Sequence, residues 1–179
     1  MRIERFEGEE AAWVEDELRQ VYREAFAGPP YAKTEADAEA NFRRFRTQVK
    51  KSGFRTVLAR SGDGGPVGMA YGYPLPANTG WWDTLTQPAA ADLRREDGHR
   101  TFGLFELAVR PAWHRQHVAT TLHSALLDGL PQQRVLLNTR PEAVAARSAY
   151  RSWGYRKVGE NHPWPGAALH DVLVLTLPT

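Results

Sequence analysis

Apolar residues recur along this chain with two different periods, and the changes of period mark its elements. Residues 2–6 read as a short first strand. Over 9–27, Val14, Leu18, Val21, Tyr22 and Phe26 fall at helical spacing, and Gly28-Pro29-Pro30 stops the run. A second helix is predicted over 34–51 with Thr34 as its N-cap. Ala38, Phe42, Phe45 and Val49 form its apolar stripe, while Arg43, Arg44, Arg46, Lys50 and Lys51 lie mainly off it.

Residues 54–60 and 66–73 read as a hairpin around Ser61-Gly62-Asp63-Gly64-Gly65. The stretch 74–100 is irregular, with Pro74, Pro76, Gly80, Trp81, Trp82 and Pro88. A connection this long is expected to act as a lid or binding loop, and a short helix is expected near 89–95. Strands follow at 101–110, 134–139, 155–160 and 170–177. Helices are predicted at 117–130, with Val118, Leu122, Ala125 and Leu126 inward, and at 142–153. Strand, two helices, three strands, helix, strand, helix and two strands describe a mixed sheet with helices on both faces. No repeat or linker divides the chain, so one α/β domain over 1–179 is expected.

Composition narrows the function classes. The net charge of +2 and pI of about 9.0 suit an anionic ligand and are too weak to argue for nucleic acid. With no cysteine, disulfides, thiolate nucleophiles and Cys-based zinc sites are excluded. His114, His117 and His123 do not share a helix face and no His-Glu-x-x-His is present, so no metal is expected. Neither a signal peptide nor a membrane span is read from the sequence, and a cytoplasmic monomer or homodimer is expected.

The strongest chemical feature is the strand ending at Val109 and the helix opening near His117. The first backbone N–H groups of such a helix lack intrahelical partners and its dipole adds positive charge, which suits a pyrophosphate. Arg110 and Arg115 add charge nearby. Many such junctions bind nothing, and both possibilities stand at this point. The second feature is the alanine-rich run from Pro141 to Gly154, a helix started by proline and ended by glycine, with Ala146, Tyr150 and Trp153 on one face. Tyr150 is either core or a phenol able to protonate a leaving thiolate.

These segments, in this order, resemble the GNAT superfamily of acyl-CoA-dependent N-acetyltransferases. FELAVRPAWHRQHVATTLHSALL is similar to that family's strand, pyrophosphate loop and helix. ARSAYRSWGYRKVGE is similar to its late helix, and GPVGMAYGY to the strand before the substrate loop. The resemblance implies a mostly antiparallel central sheet and acetyl-CoA as cofactor. It implies direct transfer of an acetyl group to a primary amine of a small molecule, with Tyr150 as general acid. Cofactor contacts are implied at Leu107, Ala108 and Val109 on the strand and at Arg115, Gln116, His117, Val118, Ala119 and Thr120 in the loop and helix start.

His117 stands where the family places its first glycine, and Ala143 where it often has asparagine. A GNAT-fold binding module, or CoA-independent chemistry in the same cleft, is therefore the alternative. Glu106, on the strand face opposite Leu107 and Val109, is expected as a base acting through water, as a carboxylate holding an ammonium substrate, or as a strand residue hydrogen-bonded to a neighbouring side chain. Tyr71 and Tyr73 on one strand face, with Trp81, Trp82 and Asp83 in the long loop, are candidates for the acceptor site; the tryptophans equally suit capping of the core.

Overall fold

The computed structural model describes residues 1–178, and its strands and helices follow the expected order. Seven strands, mostly antiparallel, are β1 (Arg2–Glu7), β2 (Arg55–Arg60), β3 (Pro66–Pro74), β4 (Thr101–Val109), β5 (Arg134–Thr139), β6 (Arg156–Asn161) and β7 (His170–Thr176). The helices are α1 (Glu15–Phe26), α2 (Glu35–Gln48), α3 (Ala91–Arg94), α4 (Val118–Leu127) and α5 (Val144–Ser152). The chain divides into two compact units. The first comprises Met1–Tyr73 and Phe105–Leu130; the second comprises Pro74–Leu104 and Pro131–Thr179.

In the first unit, β1, β2 and β3 form an antiparallel meander, and the end of β4 follows in the same sheet. Leu58, Met69, Tyr71 and Ala108 meet Leu18, Val21, Tyr22, Phe42 and Phe45 of α1 and α2 in one apolar cluster. The alternation of strand side chains sends Gly68 to the other face, where α4 lies close. Thr34 caps α2 through a reciprocal box, receiving from the Asp37 N–H while Asp37 receives from the Thr34 N–H.

The first helix departs from expectation at its start. Gly8–Val14 is a 3₁₀ segment, and α-helix begins only at Glu15. Its buried residues, Ala11 and Val14, are three apart and therefore stack on one face of a three-residue turn. Trp13 points outward and is 76% exposed.

The second unit carries the start of β4, paired in parallel with β5 over Thr101–Gly103, and β7 between β5 and β6 in antiparallel ladders. The helix expected at 142–153 begins two residues late, at Val144, with Pro141 and Glu142 in a turn before it. Its end follows expectation. Gly154 adopts φ +95°, Tyr155 N–H reaches the Tyr150 carbonyl and Gly154 N–H the Arg151 carbonyl, the paired bonds of a Schellman stop. No helix among the described residues is long and apolar enough to cross a membrane.

Candidate active site

The loop between β4 and α4 is built by unusual backbone. Arg115 and His117 both take left-handed conformations, φ +60° and +59°, although neither is glycine. A Cβ in that region crowds the following carbonyl, and histidine tolerates it better than most residues. His117 is the N-cap of α4, yet its side chain makes no capping hydrogen bond. The Thr121 N–H and hydroxyl both turn back to the His117 carbonyl, at 3.0 and 2.9 Å. Arg115, Gln116, His117 and Thr120 are exposed and Ala119 is partly so, whereas Val118 is buried as the helix's first anchor. The N–H groups of the first turn thus lack intrahelical partners and receive no cap from the His117 side chain, and the dipole of the ten-residue helix reinforces them.

Neighbouring groups hold this loop. His114 Nε2 donates to the Val109 carbonyl at 2.9 Å, and Gln116 Nε2 donates to Ala112 at 3.2 Å. Arg110 is spent on Glu24 at 2.6 Å and on the Pro66 carbonyl at 2.8 Å, so its charge is not aimed at the loop as its place in the sequence suggested. Close approach of α4 to the sheet depends on Gly68. A Cβ built there would lie 2.8 Å from Leu122, 3.1 Å from Val118 and 3.1 Å from the Ala108 carbonyl. On the same helix, burial pushes the His123 imidazole down to about 4.

Glu106 projects from the end of β4 among α1, α2 and β3 side chains of the first unit. Desolvation pushes its carboxyl up to about 8, against the opposing fields of Arg44 and Lys33. The residue keeps part of its surface accessible, and no hydrogen bond or ion pair closes on it among the described residues. Tyr71, by contrast, is fully buried. Its hydroxyl accepts from Asn41 Nδ2 at 3.1 Å, and burial followed by the field of Glu106 raises its pKa well above the usual phenol value. Tyr73 stacks flat on Phe105, with ring centroids 4.3 Å apart. The structure thus brings Tyr71, Tyr73 and Glu106 into one neighbourhood. Leu107 and Val109 are partly accessible on the same strand, while the Ala108 side chain is core.

The remaining predicted residues belong to the second unit. Tyr150 on α5 is buried in an aromatic group with Trp153 and Tyr155, at centroid distances of 5.6 and 5.3 Å. Trp81, Trp82 and Asp83 share one 3₁₀ turn, of which Asp83 is exposed. Trp82, expected beside the acceptor, is instead buried and donates its indole N–H to Glu96 at 2.9 Å.

That contact belongs to a network the sequence did not disclose. Glu96 also accepts from Thr101 Oγ1 at 2.9 Å and from Arg134 Nη2 at 2.8 Å, and Arg134 reaches the Thr101 hydroxyl and the Leu93 carbonyl. The two charged side chains are 1% and 7% exposed. The long irregular loop is therefore fastened to its strands by a buried ion pair. Apart from an arginine opening an apolar strand, nothing in the sequence pattern signalled it.

An exposed helix start directly after a strand, in a mixed α/β fold, is an arrangement suited to holding an anion. The chain belongs to the acetyltransferase (GNAT) family, whose model matches residues 15–155. Similar solved structures include a GNAT acetyltransferase from Staphylococcus aureus Mu50, at 14% identity and TM-score 0.68, covering 99% of this chain and 100% of that one. An aminoglycoside 6'-N-acetyltransferase complexed with coenzyme A is 15% identical with TM-score 0.65, covering 100% and 99%. The ribosomal-protein-S18-alanine N-acetyltransferase of Escherichia coli is 16% identical with TM-score 0.64, covering 99% and 94%. No curated protein matches the sequence significantly.

Proposed function

We propose that the protein transfers an acetyl group from acetyl-CoA to a primary amine of a small molecule, by direct attack of the amine on the thioester. The observation that supports this most is the α4 amino terminus, where the N-cap side chain leaves the first N–H groups to an anion. Backbone N–H groups of residues 115–120 would hold the pyrophosphate, with Arg115 and His117 exposed beside it. Leu107, Ala108 and Val109 offer backbone groups to the pantetheine arm, the Val109 carbonyl being shared with His114. Bound acetyl-CoA supplies the activated acyl thioester.

An ammonium acceptor must lose a proton to attack. Glu106 suits this role because desolvation holds its carboxyl near 8, basic enough to take that proton at mildly alkaline pH. Tyr150 is assigned the opposite task, donating its phenolic proton to the departing thiolate. One acid and one base suffice without a covalent enzyme intermediate. Among the five acceptor-site candidates, Tyr73, Trp81 and Asp83 remain accessible in whole or part, whereas Tyr71 and Trp82 serve through packing.

Calorimetry and thermal shift with acetyl-CoA and CoA test this reading. Ligand well above its dissociation constant should raise the melting temperature. No heat and no shift at millimolar acetyl-CoA would refute it in favour of a binding module or CoA-independent chemistry. If binding occurs, Tyr150→Phe is expected to lower kcat by about 100-fold or more with CoA affinity unchanged. Equal turnover would remove Tyr150 from the mechanism.

A further inference from the structure

The helix that opens on the proposed pyrophosphate site is gripped at its other end by an arginine from the sheet. Arg55, the first residue of β2, reaches the last turn of α4 with one guanidinium nitrogen. Its Nη1 donates to the Leu126 carbonyl at 3.0 Å and to the Asp128 carbonyl at 2.7 Å. The last carbonyls of a helix lack intrahelical donors and need partners from elsewhere. Leu127 finds one in the Leu130 N–H at 3.1 Å, and Arg55 serves its neighbours on either side. Arg5 of β1 adds a longer contact to the Asp128 carbonyl at 3.4 Å.

The Arg55 side chain is only 13% exposed, and the Glu7 carboxylate stands off at 3.8 Å and is itself 63% exposed. Desolvation and then the field of Arg5 work against its charge, with Glu7 and Asp128 opposing them. A buried cation without a close counter-ion costs stability unless it is well held, and an apolar side chain would cover the helix without that cost. What the guanidinium adds is a fixed point along the helix axis. Gly68 sets how deeply α4 sits, through Val118 and Leu122, but apolar contacts resist sliding weakly. A slip of one residue is about 1.5 Å, enough to carry a first-turn N–H out of hydrogen-bond reach of a phosphate oxygen. Resting on the acetyl-CoA reading, we infer that Arg55 is a positioning residue for the cofactor's pyrophosphate. It acts through α4 and does not touch the ligand.

Calorimetric titration with CoA, well below the melting temperature of each protein, tests this. Arg55→Met should raise Kd by about tenfold, because the first-turn bonds to the phosphates loosen together. Arg55→Lys keeps the cation on a shorter stem and should raise it by about threefold. Adenosine 3'-phosphate 5'-diphosphate carries the pyrophosphate without the pantetheine arm and should lose the same factors. A cap that served stability alone would lower the melting temperature and leave the Kd of the folded protein where it was.

A parental Kd in Arg55→Met would overturn this inference alone, as would a nucleotide fragment that keeps its affinity while CoA loses it. Where Arg55→Met does not fold, Arg55→Lys decides by itself, and a parental Kd there overturns the inference. Failure of the parent protein to bind CoA would instead overturn the reading on which it rests.

Discussion

Replacing Gly68 by alanine adds one carbon at the tightest approach in the first unit. The new Cβ would sit 2.8 Å from Leu122 Cδ1, 3.1 Å from Val118 Cγ1 and 3.1 Å from the Ala108 carbonyl oxygen. A lone methyl end facing solvent would swing aside. Leu122 is fully buried and the Ala108 oxygen is backbone, so α4 itself must move. Overpacking of this kind costs about 1–3 kcal/mol. Relief of glycine's unfolded-state entropy returns about 0.4–1 kcal/mol, leaving a net loss of roughly 1–2 kcal/mol. For a chain of this length that corresponds to a melting temperature lower by roughly 2–8 °C.

Equilibrium urea unfolding is the assay, with the midpoint expected to fall while the slope stays constant. Gly62→Ala is the control, since nothing lies within 4 Å of a Cβ there, and it should be neutral or slightly stabilising. Because α4 carries the proposed pyrophosphate site at its first turn, Gly68→Ala should also weaken acetyl-CoA binding. An unfolding midpoint equal to the parent's would refute the argument that glycine is required for this approach.

The Glu106 carboxyl supplies a second prediction, with a defined sign. Its folded-state pKa is raised, so the native state holds a proton that the unfolded chain releases. Stability is therefore full at acid pH and declines as pH rises from about 4.5, the ordinary value, through about 8. Glu106→Gln should flatten that decline, and should also remove the acid-side limb of the kcat/KM profile, where activity falls as the base takes up its proton; an unchanged pH–stability curve would contradict the assignment. Arg134→Met leaves the buried Glu96 carboxylate without its counter-ion and should cost about 3–5 kcal/mol in denaturant titration. Thr34→Ala removes half of the α2 capping box and should cost about 1 kcal/mol, measurable in the same titration.

Hydropathy period and local stop signals were sufficient to place nearly every element of this chain. Thr34 and Gly154 mark helix ends by chemistry that acts over three or four neighbouring residues, so their roles are readable one segment at a time. The stripe Ala38, Phe42, Phe45 and Val49 is buried as its spacing requires. The junction from β4 to α4 was legible for the same reason, together with the unusual position of His117. Its left-handed backbone and the missing side-chain cap emerged only from the folded loop.

Tertiary structure decided what depends on distant partners. Asn41 is polar on a helix and would ordinarily face water, yet it is buried because Tyr71, thirty residues away, needs its amide. Glu96 and Arg134 read as solvated charges until β4 and β5 pair and leave each as the other's counter-ion, 38 residues apart. Glu106 differs in the same way. Its sequence neighbours say only that it lies on a strand, whereas its basicity comes from the protein that the fold packs around it. Local chemistry wrote the elements, and long-range desolvation and pairing, which no segment contains by itself, determined the character of the buried polar groups.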